Sequence, residues 1–276
     1  MLSGIPGTSL WGLKARAEEH ERSEGLFDDP LAKAWFAQLE PFFSPELARW
    51  YSPTLQRSIA LRTDILDRAV RMHLQHHPQG VVVEMGAGFS TRYHRLSPLA
   101  GAQWYEWDLP PMIEVRLGLR EPRHAHHHYL AYSITDRKAL DVLKETFSET
   151  SNPSQLLFIA EGLFMYFEQD VVEKLLQDMQ HYFKGAFIAF DVLGKLNLKA
   201  AQAPGEEVDA PVYWGAADTA LLLENLGLEP GYMDLTLPAQ IRRYGHYKSS
   251  LRPLERWILS QRWLTRKMGG TLLGQF

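Results

Sequence analysis

The chain has 276 residues and a formal net charge of −4, with a mass of 31.6 kDa and a pI near 6.3, enough to bury one substantial core with length left for a cap. That balance gives no overall electrostatic case for nucleic acid. Cysteine is absent, which excludes disulfides, thiolate metal sites and cysteine nucleophiles.

The stretch Met1 to Gly7 lacks a basic start and a long apolar run, and no later segment reads as a membrane span. A soluble, cytoplasmic protein without integral membrane association is therefore expected. Thr8 and Ser9 are placed to cap a helix through Leu10, Leu13, Ala17 and His20. Asp28-Asp29-Pro30 starts a second helix through Leu31, Trp35 and Leu39, since proline suits the first helical position. Pro41 and Pro45 break the chain before a short third helix with Leu47 and Trp50, and Leu55 to Leu74 carries Ile59, Leu66, Val70 and Leu74 at helical spacing. Residues 1–78 thus read as a helical cap.

From Val81 the pattern changes. Val81-Val82-Val83-Glu84-Met85 is a short apolar run, as in a strand buried on both faces. It meets a turn at Gly86 and Gly88, where missing Cβ atoms let backbone N–H groups approach a ligand. Ser90-Thr91-Arg92 then opens a helix, and Thr91 and Arg92 are counted with the loop as cofactor-contacting residues. A glycine turn between a first strand and a helix is where open α/β sheets hold adenosine cofactors. A dinucleotide fingerprint wants a small third residue where Thr91 stands, which counts against NAD. An acid ending the strand, as Glu84 does, suits the cationic amino-acid end of S-adenosylmethionine.

A second strand at Gln103 to Trp107 leads to Glu106 and Asp108, about twenty residues past the glycines, where a carboxylate can accept from two ribose hydroxyls. Asp108, at the exit, is the better placed. Pro110-Pro111 starts a helix to Leu119. Further strands are predicted at Tyr129–Tyr132, Gln155–Ala160, Ala186–Asp191, and near Tyr232–Leu237 and Arg242–Tyr247. Helices are predicted at Asp136–Glu145, Gln169–Tyr182 and from Leu221 to Gly227. The alternation implies an α/β fold with a doubly wound, mostly parallel seven-stranded sheet. His124, His126, His127 and His128 read as a solvated turn rather than a metal site, for want of acidic partners. Lys195 to Trp214 reads as a mobile insertion after the fifth strand, a lid over residues 192–215 with Trp214 closing the pocket. The whole forms one domain with a core over 79–250 and a basic amphipathic segment over 251–276.

Taken together, six motifs in order resemble the leucine carboxyl methyltransferase family, in its shorter bacterial branch of tetracenomycin-type polyketide O-methyltransferases. They are T-S-L-W-G-L-K-A-R-A-E-E from Thr8, D-D-P-L-A from Asp28, A-L-R-T-D-I-L-D from Ala60, G-A-G-F-S-T-R-Y-H-R-L from Gly86, E-W-D-L-P from Glu106 and A-E-G-L-F-M-Y-F from Ala160. The resemblance implies a Rossmann-like class I methyltransferase using S-adenosyl-L-methionine. It implies that Arg62 holds the cofactor's carboxylate, Asp108 its ribose, and Glu161, Gly162 and Tyr166 the pocket. Ser133 and Ile134 stand where the family offers Asp-Leu to the adenine, so Ile134 backbone groups are expected to contribute more there. No metal is called for.

The expected reaction is methyl transfer to a hydroxyl or carboxylate oxygen of a small molecule, with Tyr166 orienting the acceptor. Methylation of a protein's C-terminal carboxylate is an alternative, and a non-catalytic adenosine-binding or NAD-dependent module is another of a different class. Between Ile241 and Phe276 eight basic residues face one acid, Glu255. This segment is expected to dock on its own domain or on a second subunit, which leaves a homo-oligomer open, with an interfacial membrane helix as the alternative.

Overall fold

The computed structural model describes residues 4–97, 101–120, 122, 124–147, 152–236, 244, 253, 257 and 261–276. Four helices come first: α1 (Gly4–His20), α2 (Pro30–Leu39), α3 (Pro45–Trp50) and α4 (Pro53–His76). Three of these begin with proline, and the side chains of Asp29, Ser44 and Ser52 cap α2, α3 and α4 by accepting from Ala32, Leu47 and Leu55 amides. α1 starts at Gly4, so Thr8 and Ser9 sit one turn inside it instead of capping it.

The sheet follows in the order β3-β2-β1-β4-β5-β7-β6. Its strands are β1 (Val81–Met85), β2 (Gln103–Asp108), β3 (His127–Ala131), β4 (Leu156–Ala160), β5 (Phe187–Leu193), β6 (Glu229–Pro230) and β7 (Gly269–Gln275). β1 to β5 are parallel, while β7 runs antiparallel to both β5 and β6. Helices α5 (Arg92–Leu96), α6 (Pro110–Gly118), α7 (Arg137–Thr146), α8 (Gln169–Tyr182), α9 (Lys195–Glu207), α10 (Leu222–Asn225) and α11 (Arg262–Met268) fill the connections.

Alternation along β1 divides the core. Val81, Val83 and Met85 face Leu140, Leu143, Leu175 and Leu176 of α7 and α8. Val82 faces Ile65, Leu66 and Val70 of α4, and Glu84, two residues on, shares that face. A third cluster joins Leu10 and Leu13 of α1 to Trp35, Phe89 and Met112, fastening the cap over the glycine turn.

Three sequence expectations are corrected. The last two strands are β6 at Glu229–Pro230 and β7 at Gly269–Gln275, not Tyr232–Leu237, whose described residues are not strand, nor Arg242–Tyr247, which apart from Tyr244 lies outside the described residues. β7 contains Gly269, Gly270 and Gly274, a composition with low strand propensity. Gly274 packs closely, a Cβ there lying 3.1 Å from Leu228 Cβ. β3 starts at His127, whose side chain is 2% exposed with Nε2 3.0 Å from Glu106 Oε1, so it is buried rather than part of a solvated turn. Lys195 to Glu207 is helix α9 rather than a mobile loop, in keeping with its Leu, Lys and Ala content. Among the described residues no helix is long and apolar enough to cross a membrane.

His73 of α4 is fully buried, with Nε2 2.9 Å from Gln155 O. Its Nδ1 is buried without a hydrogen-bond partner, so the neutral ring with the proton on Nε2 fits and a second proton would find no acceptor. Burial lowers its pKa to about 4, against the opposing hydrogen bond to Gln155. The unfolded chain, with a histidine pKa near ~6.5, then binds the extra proton first, so stability present above that pH is lost as pH falls toward 4, by on the order of 3 kcal/mol. Equilibrium denaturation at pH 7 and 4.5 should show a smaller pH-dependent loss for His73→Gln than for the parent.

Candidate active site

Strand register assembles the site. Met85 of β1 pairs with Trp107 of β2 and Ala160 of β4, and Ala160 pairs with Phe190 of β5. The next residue on each strand or turn, Gly86, Asp108, Glu161 and Asp191, therefore stands at one level along the carboxyl edge, where open α/β sheets bind ligands.

The glycine turn is tied to β2. Gly86 N donates to Trp107 O at 2.7 Å and Gly88 N to Asp108 Oδ2 at 2.6 Å. Both glycines have positive φ, 58° and 51°, and a Cβ on Gly86 would come within 2.5 Å of Leu163 Cδ1. Asp108 Oδ1 accepts from Leu109 N at 2.7 Å. Each Asp108 oxygen retains a lone pair for a further donor, and burial pushes its pKa up. Glu106, the other acid of this strand, is fully buried between Arg116, 2.6 Å away, and His127.

Behind the turn lies a continuous charge network. Arg92 is buried and donates through Nε to Asp67 at 2.7 Å, through Nη1 to Glu84 and through Nη2 to Glu161. Arg62 joins Glu161 to Asp191 through Nε at 3.1 Å and Nη1 at 3.0 Å. Thr63 Oγ1 donates to Glu161 at 2.8 Å, and Gly162 N to Asp191 Oδ1 at 2.5 Å. Arg95 links Asp67 to Asp29, both at 2.7 Å, while Arg16 of α1 donates to Phe89 O at 2.6 Å. Arg16 also lies 3.7 Å from Asp29.

Five carboxylates are thereby linked to four guanidiniums, one more negative charge than positive. Burial would raise Glu161, but Arg92 and Arg62 hold it well below the ordinary carboxylate range. Burial wins at Glu84 and Asp191, whose pKa values are raised despite Arg92 and Arg62 respectively. Burial also brings Arg16 down to about 10 against the pull of Asp29.

The sequence-predicted residues fall into two groups. Gly86, Gly88, Asp108, Arg62, Glu161 and Gly162 come together at the edge, with Glu84 directly behind. Gly162, at φ 64°, would place a Cβ 3.0 Å from Arg62 Nη2. Thr91 and Arg92 turn inward instead: Thr91 Oγ1 donates to Asp29 Oδ2 at 2.5 Å, and neither side chain is open to the pocket. Ser133 follows Tyr132, whose amide donates to Asp108 O at 3.0 Å. Its Oγ lies 2.9 Å from Thr135 Oγ1, and Ile134 packs into the groove between α7 and α8. Tyr166 Oη donates to Thr8 Oγ1 of α1 at 2.9 Å, and burial raises its pKa. Trp214 is 4% exposed and meets Phe164 edge to face at 6.4 Å, so it is a core residue and not the expected pocket closure.

Sequence reading missed Asp191, Thr63, Asp67, Asp29 and Arg16. Each is recognised by a partner distant in the chain, and only the Asp29-Pro30 cap pattern singled out one of them in advance.

Two findings place the molecule. The seven-stranded sheet with its reversed β7 is of the class I methyltransferase fold, and solved structures show the same fold. A Streptomyces avermitilis protein of the DUF574 family superposes with a TM-score of 0.60 at 13% identity, over 95% of this chain and 96% of that one. A Thermobifida fusca protein inferred to be a methyltransferase gives 0.58 at 14% identity, over 99% and 94%. The chain belongs to the leucine carboxyl methyltransferase family, whose model matches residues 9–180. The tetracenomycin polyketide synthesis O-methyltransferase of Streptomyces glaucescens is 24% identical over 263 residues, 93% of this chain and 90% of that protein. A Streptomyces coelicolor protein inferred to be an S-adenosyl-L-methionine-dependent methyltransferase is 31% identical over 183 residues, 63% of this chain and 64% of that protein's length.

Arg92→Met tests the network. Removing one guanidinium leaves Asp67, Glu84 and Glu161 without its charge in a buried setting, a loss expected at about 3–5 kcal/mol. Urea denaturation should show that drop, whereas Lys33→Met, on an exposed pair with Glu21, should leave stability nearly unchanged.

Proposed function

We propose that this protein is an S-adenosylmethionine-dependent O-methyltransferase acting on a hydroxyl or carboxylate oxygen of a small molecule, as in polyketide-type secondary metabolism. The observation that carries the cofactor assignment is the combination of a glycine turn, Asp108 and surplus negative charge on one edge. Glu84 Oε2 is buried there with no hydrogen-bond partner, an acceptor suited to a cationic amino group. Asp108 keeps lone pairs for ribose hydroxyls. Arg62, set over Gly162, supplies the cation for the amino acid's carboxylate, although two of its nitrogens are engaged by Glu161 and Asp191.

When bound, S-adenosylmethionine supplies a methyl group already activated by its sulfonium charge. The protein's work is then to position the acceptor and exclude water. Tyr166, in the turn after β4, is our candidate for that positioning, and its hydroxyl donates to Thr8 Oγ1 at 2.9 Å. Burial keeps its phenol protonated at neutral pH, so it serves as a hydrogen-bond donor to the acceptor oxygen rather than as a base. A carboxylate acceptor needs no base, whereas a phenol near pKa ~10 must lose its proton during transfer.

The near end-to-end alignment with the tetracenomycin enzyme supports a small acceptor over a protein C-terminus. Thr91, with its β-branched side chain packed on Asp29, supports S-adenosylmethionine over NAD. Calorimetric titration should show binding of S-adenosylhomocysteine and none of NADH; the reverse would overturn the assignment. Arg62→Ala and Asp108→Ala should each weaken that binding by about 1.5–3 kcal/mol. Tyr166→Phe should lower turnover of a phenolic or carboxylic acceptor and leave S-adenosylhomocysteine affinity nearly unchanged, and an unaltered rate would remove Tyr166 from the mechanism.

A further inference from the structure

The carboxyl edge on which the site opens also carries an uncovered aromatic and cationic face. β5 ends and β7 begins at this rim, where Gly194 N donates to Met268 O at 3.0 Å and Ala216 N to Leu193 O at 2.7 Å. Helix α11 is tied to α9 through Asn197 Nδ2 and Met268 O, 2.6 Å apart, and to the following turn through Thr219 N and Arg266 O at 3.1 Å. The same turn region reaches the site, since Tyr213 N donates to Met165 O at 2.8 Å, one residue before Tyr166.

On this rim Leu196, Tyr213 and Trp263 are 53%, 48% and 59% exposed, and Trp257, earlier in the C-terminal stretch, is 56% exposed. Exposed large apolar side chains on elements tied together at one rim are candidates for a contact surface. Trp263 shares a helical face with Arg266 and Lys267, three and four residues on, and both are exposed. Lys267 Nζ stands 5.9 Å from the Trp263 ring centroid, while Thr265 is buried toward the protein. α9 adds exposed Lys195 and Lys199, and the stretch from Ile241 to Phe276 holds eight basic residues against one acid.

We infer that this rim docks on an anionic phospholipid surface, with Trp263 at headgroup level and Arg266 and Lys267 against the lipid phosphates. Indole rings favour the membrane–water interface, and basic side chains gain from its negative potential. A lipid surface accounts for both, and for a charge excess spread along the stretch rather than focused on one pocket. Docking turns the open edge of the site toward the bilayer, where an apolar acceptor concentrates. The association itself does not rest on the methyltransferase reading.

Flotation of the full chain with vesicles of phosphatidylcholine alone, or of phosphatidylcholine with phosphatidylglycerol, tests this. The protein should float with the anionic vesicles only and be released by high salt, and its tryptophan emission should shift to shorter wavelength on binding. Trp263→Ala should reduce the bound fraction, and Arg266→Glu with Lys267→Glu should reduce partitioning by roughly 25-fold or more, each charge being worth about fivefold. Thermal midpoints and S-adenosylhomocysteine affinity matching the parent would show that the variants are folded. Absence of flotation with anionic vesicles, or equal flotation of the double variant, overturns the proposal. So does a concentration-dependent dimer that the double variant dissociates, which makes the face a contact between copies. Flotation without S-adenosylhomocysteine binding removes the cofactor reading alone.

Discussion

A guanidinium sealed inside a protein needs carboxylate or carbonyl partners to offset its desolvation, and Arg92 finds three carboxylates by drawing on three separate elements. Asp67 comes from α4, Glu84 from β1 and Glu161 from the turn after β4. Such a cluster is weak evidence for stability in itself, because desolvation offsets much of the attraction. Its consequence is positional: helix, strand and glycine turn cannot shift relative to one another without stranding a buried charge. Arg95 carries the constraint outward to Asp29, the residue that caps α2. The cap and the sheet are thus fastened by the same chain of charges that backs the site.

This explains why the site is shared between cap and core. α1 holds the glycine turn through Arg16 and Phe89 O. It also touches the turn itself, since a Cβ on Gly88 would lie 3.0 Å from Ser9 Cβ. The adjacent residue, Thr8, receives the Tyr166 hydroxyl. A cofactor entering over Gly88 and an acceptor approaching Tyr166 both meet α1, so the first helix is a wall of the proposed pocket and its packing bears on both ligands at once.

The parallel half of the sheet was legible because strands buried on both faces must be nearly all apolar, as Val81-Val82-Val83 and Leu157-Phe158-Ile159 are. β7 was not, because three of its seven residues are glycine, one of them packed against the Leu223 and Leu228 side chains, and only Thr271 is β-branched. Within the site, Gly86, Gly88 and Asp108 were readable from local spacing. Asp191 was not, since the register of β4 with β5 sets it beside Glu161 and its partner Arg62 reaches both from α4, far away in the chain. Thr91 and Arg92 sit in the right motif with side chains turned the other way, a distinction that spacing cannot make. Trp214 was misread for a related reason: a tryptophan after a polar insertion suggested a lid, yet the β4 turn supplies Met165 O to anchor its backbone and Phe164 to cover its ring.

The electrostatics also constrain how protons move in the proposed reaction. His94, the histidine inside the glycine-loop motif, meets His127 edge to face at 5.5 Å near the amino end of β3, the opposite edge of the sheet from Asp108. Tyr166 is kept protonated by burial, and Glu161 is kept ionised but saturated by Arg92, Arg62 and Thr63. Asp108 at this edge already accepts from the Gly88 and Leu109 amides, and burial raises the pKa of Asp191, the other carboxylate there. Yet Oδ1 is taken by Gly162 N and Oδ2 by Arg62, so proton uptake there would compete with both contacts. An acceptor that arrives ionised avoids this competition altogether. If the donor is drawn by the charge network and the acceptor is oriented by Tyr166, α1 bears on both, through Arg16 beside Asp29 on the network side and Thr8 on the Tyr166 hydroxyl.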